Sequence, residues 1–324
     1  MKRSLFVVTV LGFAACGGVE SGSGLDQPLV LHPASPKLPV PVFKEGPLPG
    51  TPPKAVVSDA EPLRITGFED TSGLGFVGES GRSLAGRASP DAVAVALTLA
   101  NQGTGYWLLP VAGPDPTSNN ELTWKVLLDV TDVAIAGPGK IRVVAIGADG
   151  SAGTQTDASF CVGSAVPDNL NSCNPSVAPP AAVISLNWDT AADLDLVVIT
   201  PTGQVVSPKS PNTAGKGASA EQIAAGGVLD LDAQAGCRFF GRRRENLVFQ
   251  KPPQPGLYNF YVNVFDGCRA SQAHYGLGVY TPQATGPGTS RVVEQQIIRG
   301  QVLTATANGG AGKAPGLFVG SFVF

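Results

Sequence analysis

Histidine is almost missing from this chain: only His32 and His274 occur in 324 residues. His32 sits in a proline-rich stretch and His274 stands beside Tyr275 in an apparent strand, so a serine–histidine–aspartate relay has nothing to run on. Charge is scarce as well. Charged residues make up 15% of the sequence and the formal net charge is −3, a field too weak to recruit nucleic acid or an acidic membrane surface. Tryptophan occurs three times, too rarely to line an aromatic cleft of the kind that would hold a glycan between two carboxylates for hydrolysis. No C-x-x-C spacing links any of the five cysteines, which argues against a zinc site. No segment beyond the N-terminus is long and apolar enough for a membrane-spanning helix.

Glycine and proline are plentiful, at 41 and 28 residues, and they punctuate short runs rich in valine, isoleucine, threonine and aromatics. Such spacing predicts strands and turns, and the length allows two cores. The expected fold class is all-β, with two tandem β-sandwich domains.

The chain opens with Lys2 and Arg3, an apolar run from Leu5 to Val10, and the small residues Ala14 and Ala15 before Cys16. The run is too short to cross a bilayer, and the pattern reads as a secretory signal over residues 1–15. Its end resembles the lipobox of bacterial lipoproteins. That resemblance implies lipidation of Cys16, which becomes the mature N-terminus, and Gly17 resembles the following residue of lipoproteins sent to the outer membrane. The expected address is therefore exported, in the outer membrane or at the cell surface, held by a lipid anchor.

Residues 16–54 carry nine prolines between Pro28 and Pro53, and read as a disordered tether. In polyproline II at about 3.1 Å per residue it would reach on the order of 100 Å. Residues 55–166 hold a string of strand signals: Leu63–Thr66, Ala92–Leu99, Tyr106–Val111, Leu122–Leu128, Lys140–Gly147 and Thr156–Val162. The stretch from Pro138 to Gly150 reads as a strand entered by a Pro-Gly turn and left through Asp-Gly. It is similar to the penultimate strand of an immunoglobulin-like sandwich, although the Cys-Trp-Cys arrangement of antibody domains is absent. Residues 167–181 form a linker.

The remaining four cysteines, Cys161, Cys173, Cys237 and Cys268, are even in number, as expected of disulfides in an exported protein. Three pairings are open. The expected one joins Cys161 to Cys173 and Cys237 to Cys268, because each bridge then closes its own neighbourhood, with loop-entropy gains of about 3 and 4 kcal/mol.

From Ala182 the sequence becomes distinctive. Ala182-Val183-Ile184-Ser185-Leu186-Asn187-Trp188-Asp189 is followed by Asp193-Leu194-Asp195-Leu196-Val197-Val198-Ile199 and Pro201-Thr202-Gly203. Further on come Leu229-Asp230-Leu231-Asp232, Gly236-Cys237, Arg244-Glu245-Asn246, Pro255-Gly256-Leu257-Tyr258 and Gly267-Cys268. In this order the motifs, over roughly residues 182–281, resemble the YfaP-like family, β-sandwich domains of exported bacterial proteins. The resemblance implies a fold and an address more than an activity, and it assigns residues 182–324 to a YfaP-like sandwich.

Alternate residues of a strand share a face, so Asp193 and Asp195 point together while Leu194, Leu196 and Val198 point to the core. Asp189 lies at the mouth of the same loop, and Asp230, Asp232 and Glu245 repeat the pairing of acids near a cysteine. Oxygen-rich loops of this kind suit calcium, and the expected ligands are Asp189, Asp193, Asp195, Asp230, Asp232 and Glu245; the plainer alternative has each acid facing solvent or capping a turn. Gly73-Leu74-Gly75-Phe76-Val77-Gly78 spells G-x-G-x-x-G without the strand and helix a dinucleotide site needs. Gly312-Lys313 lacks the rest of a P-loop. Arg242-Arg243-Arg244, near Arg238, is the only basic cluster, and with Glu245 next in line it reads as a solvated loop. Trp107, Trp124 and Trp188 read as core aromatics, with Tyr106-Trp107 as an alternative sugar-stacking platform.

The expected function is a non-catalytic binding or adhesion module, calcium-stabilised, with an unidentified protein or glycan partner and no nucleic acid. The rival readings are a structural accessory of an outer-membrane complex, prompted by the Phe318-x-Gly320-x-Phe322-x-Phe324 alternation, and a glycan-active enzyme.

Overall fold

The computed structural model describes residues 24–69, 72–115, 117–118, 120–239, 241–309 and 314–324. The signal peptide, Cys16 and Gly312-Lys313 lie outside the described residues. The first ten strands are β1 (Leu29–Pro33), β2 (Val42–Glu45), β3 (Ile65–Phe68), β4 (Leu74–Phe76), β5 (Arg82–Ala88), β6 (Ala92–Leu99), β7 (Gly105–Pro110), β8 (Leu122–Val130), β9 (Gly137–Gly147) and β10 (Thr156–Gly163). Nine more follow: β11 (Ala182–Trp188), β12 (Asp193–Ile199), β13 (Val205–Val206), β14 (Gly227–Leu229), β15 (Arg244–Phe249), β16 (Leu257–Asp266), β17 (Gln272–Gly286), β18 (Thr289–Leu303) and β19 (Leu317–Val323). One short helix, α1 (Ala220–Ala225), starts at a capping box made by Ser219 and Gln222. No helix among the described residues is long and apolar enough to cross a membrane.

The strands form four sheets, two to a sandwich. In the first sandwich the orders are β1-β8-β5-β3 and β2-β7-β6-β9-β10-β4. Taking β3 as the first strand of an immunoglobulin fold, β5, β8, β6, β9 and β10 fall in the places of strands B, E, C, F and G. The short β4 pairs in parallel with the last strand, β10, and β9 is the penultimate strand, as the sequence predicts. Pro138 and Gly139 lie inside β9 rather than in a turn before it. They pair with Cys161 and Phe160 of β10, in a stretch where β6 does not yet flank β9, so the missing proline N–H costs no bond on that side.

The tether reading fails over residues 29–45. Leu29, Val30 and Leu31 are buried core residues, β1 occupies the fourth position of the first sheet beside β8, and β2 extends the second sheet beside β7. Trp107 holds this segment in place, donating from Nε1 to the Leu29 carbonyl at 2.7 Å and meeting the Phe43 ring edge-on at 5.4 Å. At 6% exposure Trp107 is a core residue and no sugar platform.

The linker is equally well tied. Cys161 and Cys173 are joined by a disulfide, Asp168 accepts the backbone N–H groups of Leu170 and Ser172, and Asn169 bonds the Ala178 carbonyl and Gln250.

The second sandwich packs β14-β15-β11-β17-β18 against β13-β12-β16-β19. Its core comes from alternate residues of facing strands, among them Ile184, Leu186, Leu194, Leu196, Val198, Leu247, Phe260 and Leu277. β19, the strand that resembles the closing strand of a barrel, pairs with β16 alone and lies at a sheet edge.

Candidate metal centre

The period-two rule places the acids of β12 as expected: Leu194, Leu196 and Val198 enter the core and Asp193 and Asp195 share the outer face. That face is not open to water. Asp193 is 1% exposed and Asp195 is 8% exposed, because the segment between β14 and β15 folds across them. The cover is pinned twice. A disulfide joins Cys237 to Cys268 in the turn after β16, and the Gly236 N–H donates to Asp193 Oδ2 at 2.9 Å. Gln234, Gly236 and Cys237 all take positive φ, at 66°, 61° and 63°, a left-handed conformation that costs free energy at the two residues with side chains. The bridge and the Asp193 bond hold that backbone in place. On the other side, the loop from β11 to β12 is fixed by Trp188 Nε1 donating to the Ala192 carbonyl at 2.7 Å.

One oxygen each of Asp193, Asp195 and Asp232 lies within 4.8 Å of the others. They line a pocket of about 140 Å³ shared with Pro208, Lys209 and Phe265. Burial pushes the Asp193 carboxyl up to about 7, and the charges of Asp195, Asp232 and Asp266 push the same way against the Gly236 bond. Burial likewise raises Asp195 to about 6, opposed by its bond from Asn263 and by the Lys209 charge. Asp193 Oδ1 is buried and accepts no hydrogen bond from the described residues. An ionised carboxylate with an unpartnered buried oxygen is costly, so the position calls for a proton or a cation.

The other acids expected in the group go elsewhere, each for a definite reason. Asp189 is taken by His274, whose backbone N–H and ring Nδ1 lie 2.9 and 2.8 Å from its two oxygens. Burial works against its ionisation, but the His274 contacts outweigh it and hold the carboxyl below its ordinary value. Asp230 accepts the backbone and side-chain N–H groups of Asn246, and both of its oxygens are occupied there. Glu245 is fully buried directly behind the cluster. Its Oε2 accepts the Leu196 N–H at 2.7 Å and its Oε1 the Ala233 N–H at 3.1 Å. It is a support of the site, bridging β12 to the covering segment, and offers no free oxygen as a ligand.

Asn263 and Asn308 complete the surroundings. Asn263 donates to Asp195 Oδ2 at 3.2 Å and accepts from Asn308 Nδ2 at 2.8 Å. Asn263 could have been found from sequence: an asparagine inside the apolar run Phe260-Tyr261-Val262-Asn263-Val264 is a buried polar group in need of a partner. Pro208 and Lys209 have no such signal. Cys237 and Cys268 also lie near Asp266, but their sulfurs are spent on each other.

No protein-family model matches the chain, and no curated protein matches it. Among solved structures, the C-terminal domain of the AgI/II polypeptide BspA from Streptococcus agalactiae is similar at 10% identity and a TM-score of 0.19. The match covers 73% of this chain and 98% of that one, and a likeness of this strength assigns neither fold nor function.

Proposed function

We propose that the chain is an exported, lipid-anchored and non-catalytic binding module of the cell envelope, whose second sandwich is completed by a calcium ion among Asp193, Asp195 and Asp232. The address is supported by two disulfides, which persist in oxidising compartments, and by the lipobox-like end of the signal. The YfaP-like motif order belongs to the same reading. The observation that carries the cation is the unpartnered, buried Oδ1 of Asp193, on a carboxylate that has one oxygen within 4.8 Å of oxygens of Asp195 and Asp232. Three carboxylates crowd here with Asp266 close by and the Lys209 charge opposing them at Asp195, an excess of negative charge that a divalent cation offsets. Hard carboxylate and amide oxygens favour calcium over softer metals.

The test is thermal unfolding of the protein with calcium and with chelator. At a hundredfold excess over the dissociation constant, calcium adds about 2.7 kcal/mol, which raises the midpoint of the second sandwich by roughly 5–10 °C. Asp195→Ala abolishes the gain. Equal midpoints across millimolar calcium would overturn the cation and leave a metal-free binding sandwich. The anchor has its own readout: Cys16→Ser releases the protein from the membrane fraction, and unchanged membrane association would remove the lipoprotein reading.

A further inference from the structure

The run Arg242-Arg243-Arg244 spans the end of a loop, where Arg243 is exposed and Arg242 half-buried, and the first residue of β15. It stands where the two sandwiches meet, and the junction is held by the Ser80 N–H donating to the Gly241 carbonyl at 2.9 Å. The Arg242 guanidinium packs across the junction onto the Phe76 ring, 4.1 Å from its centroid. The Arg243 guanidinium lies 5.1 Å from the centroid of Phe239, a ring left 49% exposed. Arg244 is partly buried and donates to Ser185 Oγ at 3.0 Å. Together they line a cleft of about 220 Å³, with Trp188 and Asp132 also on its walls.

Two features set this cluster apart from an ordinary basic surface. First, among the described residues none of the three arginines comes within ion-pair distance of a carboxylate. The cleft has two acids, Asp132 and Asp189, and Asp189 is already held by His274. Second, Arg242 and Arg243 are held beside the Phe76 and Phe239 rings, contacts that leave most of their N–H donors unused. Burial also draws the Arg244 pKa down, and the charges of Tyr280, Asp132 and Asp230 oppose that shift without reversing it, so the cation is only partly compensated. Arginine rims of this kind match the paired oxygens of a carboxylate, sulfate or phosphate.

The size of the cleft narrows the ligand. It is smaller than the roughly 300–1,000 Å³ of sites that enclose drug-sized molecules, so it takes one charged group and the ring that bears it. The exposed face of Phe239 beside the arginines offers stacking to such a ring. We propose that the cleft between the sandwiches binds the acidic group of an anionic saccharide, with Arg243 and Arg244 gripping its oxygens and Phe239 flanking the sugar ring. The proposal rests on the reading of the chain as a binding module and is independent of the calcium site.

The test is calorimetric titration of the full exported chain with an oligogalacturonate and a sulfated disaccharide, set against a neutral oligosaccharide and inorganic sulfate. An anionic saccharide binds, the neutral one does not, and affinity falls as salt is raised. Arg243→Gln, at an exposed position chosen to spare folding, weakens binding by about tenfold, the scale of one charge-assisted contact. Thermal midpoints of this variant that match those of the unsubstituted chain, both with calcium and with chelator, keep the result separate from that of the metal site. Failure of both anionic saccharides to bind at millimolar concentration, or equal affinity in Arg243→Gln, would overturn the proposal. So would inorganic sulfate binding as tightly as the saccharides, since the ring would then contribute nothing.

Discussion

Replacing Glu245 by alanine is expected to destabilise the second sandwich by about 4 kcal/mol, the range for losing one partner of a buried charged network, and to lower its thermal midpoint by roughly 10 °C. The side chain has no exposed surface, and its two oxygens serve two different elements. One accepts the Leu196 N–H of β12 and the other the Ala233 N–H of the covering segment. Alanine leaves both donors buried without an acceptor and opens a void beside them. Glutamine should fall between the two, because its carbonyl satisfies one donor while its amide group confronts the other. Burial pushes the Glu245 carboxyl well above its ordinary value, and the charges of Asp195 and Asp232 add to that. The acid is therefore kept at a cost, and what it secures is the placement of Asp232 over β12. Denaturant unfolding of Glu245→Ala and Glu245→Gln measures this. A change in either variant within about 0.5 kcal/mol, as at a surface site, would show that the bridge carries no weight.

Local pattern made part of this architecture readable. β6 is a run apolar at every position but Thr98, and its ends match the structure residue for residue; β12 shows its two faces in the alternation of Asp193, Leu194, Asp195 and Leu196. The disulfide pairing followed from short separations in the chain. The N-terminal strands were hidden by the prolines around them. β1 and β2 are both edge strands, where an imino nitrogen forfeits no ladder bond, so the proline-rich composition of a spacer and of an edge strand is the same. Their partners, β8 and β7, lie far along the chain, and no local signal records that pairing.

The candidate site divides along the same line. Asp193 and Asp195 were legible because a strand's period is local. The fates of Asp189, Asp230 and Glu245 were not, because each is decided by a partner from another element: His274 of β17, Asn246 of β15, and the backbone of β12. The arginine run was misread for a related reason. In sequence its neighbour is Glu245, whose side chain points into the core, whereas the groups that meet the arginines are Phe76 of the other sandwich, Phe239 and Ser185, and the first and last of these are distant in the chain.

Without calcium, the second sandwich is expected to lose stability as pH rises from about 5 to 8, the reverse of the usual carboxylate behaviour. Asp193 is held at about 7 and Asp195 at about 6 in the folded chain, against an ordinary value of 3.8 once unfolded. Between these limits the folded state binds more protons than the unfolded state, so each rise in pH favours unfolding. The sign follows from the raised values: stability is complete below the unfolded value and has been lost by the time pH passes the folded ones. For Asp193 alone the full loss is on the order of 4 kcal/mol, of which roughly 3 kcal/mol falls between pH 5 and pH 8, and Asp195 shares the same site, so the two contributions do not simply add. The acids of this sandwich whose values are lowered, Asp189 and Glu221, act in the opposite sense, and only below roughly pH 4–5. A bound calcium ion replaces the protons and reverses the slope, because ionised carboxylates are then the better ligands. Scanning calorimetry of the whole chain at pH 5 and pH 8, with chelator and with millimolar calcium, resolves the four conditions. Calcium should raise the second transition at pH 8 and leave it nearly unchanged at pH 5. A chelated protein as stable at pH 8 as at pH 5 would mean that the carboxyls of β12 are ionised and already satisfied, with neither proton nor cation required.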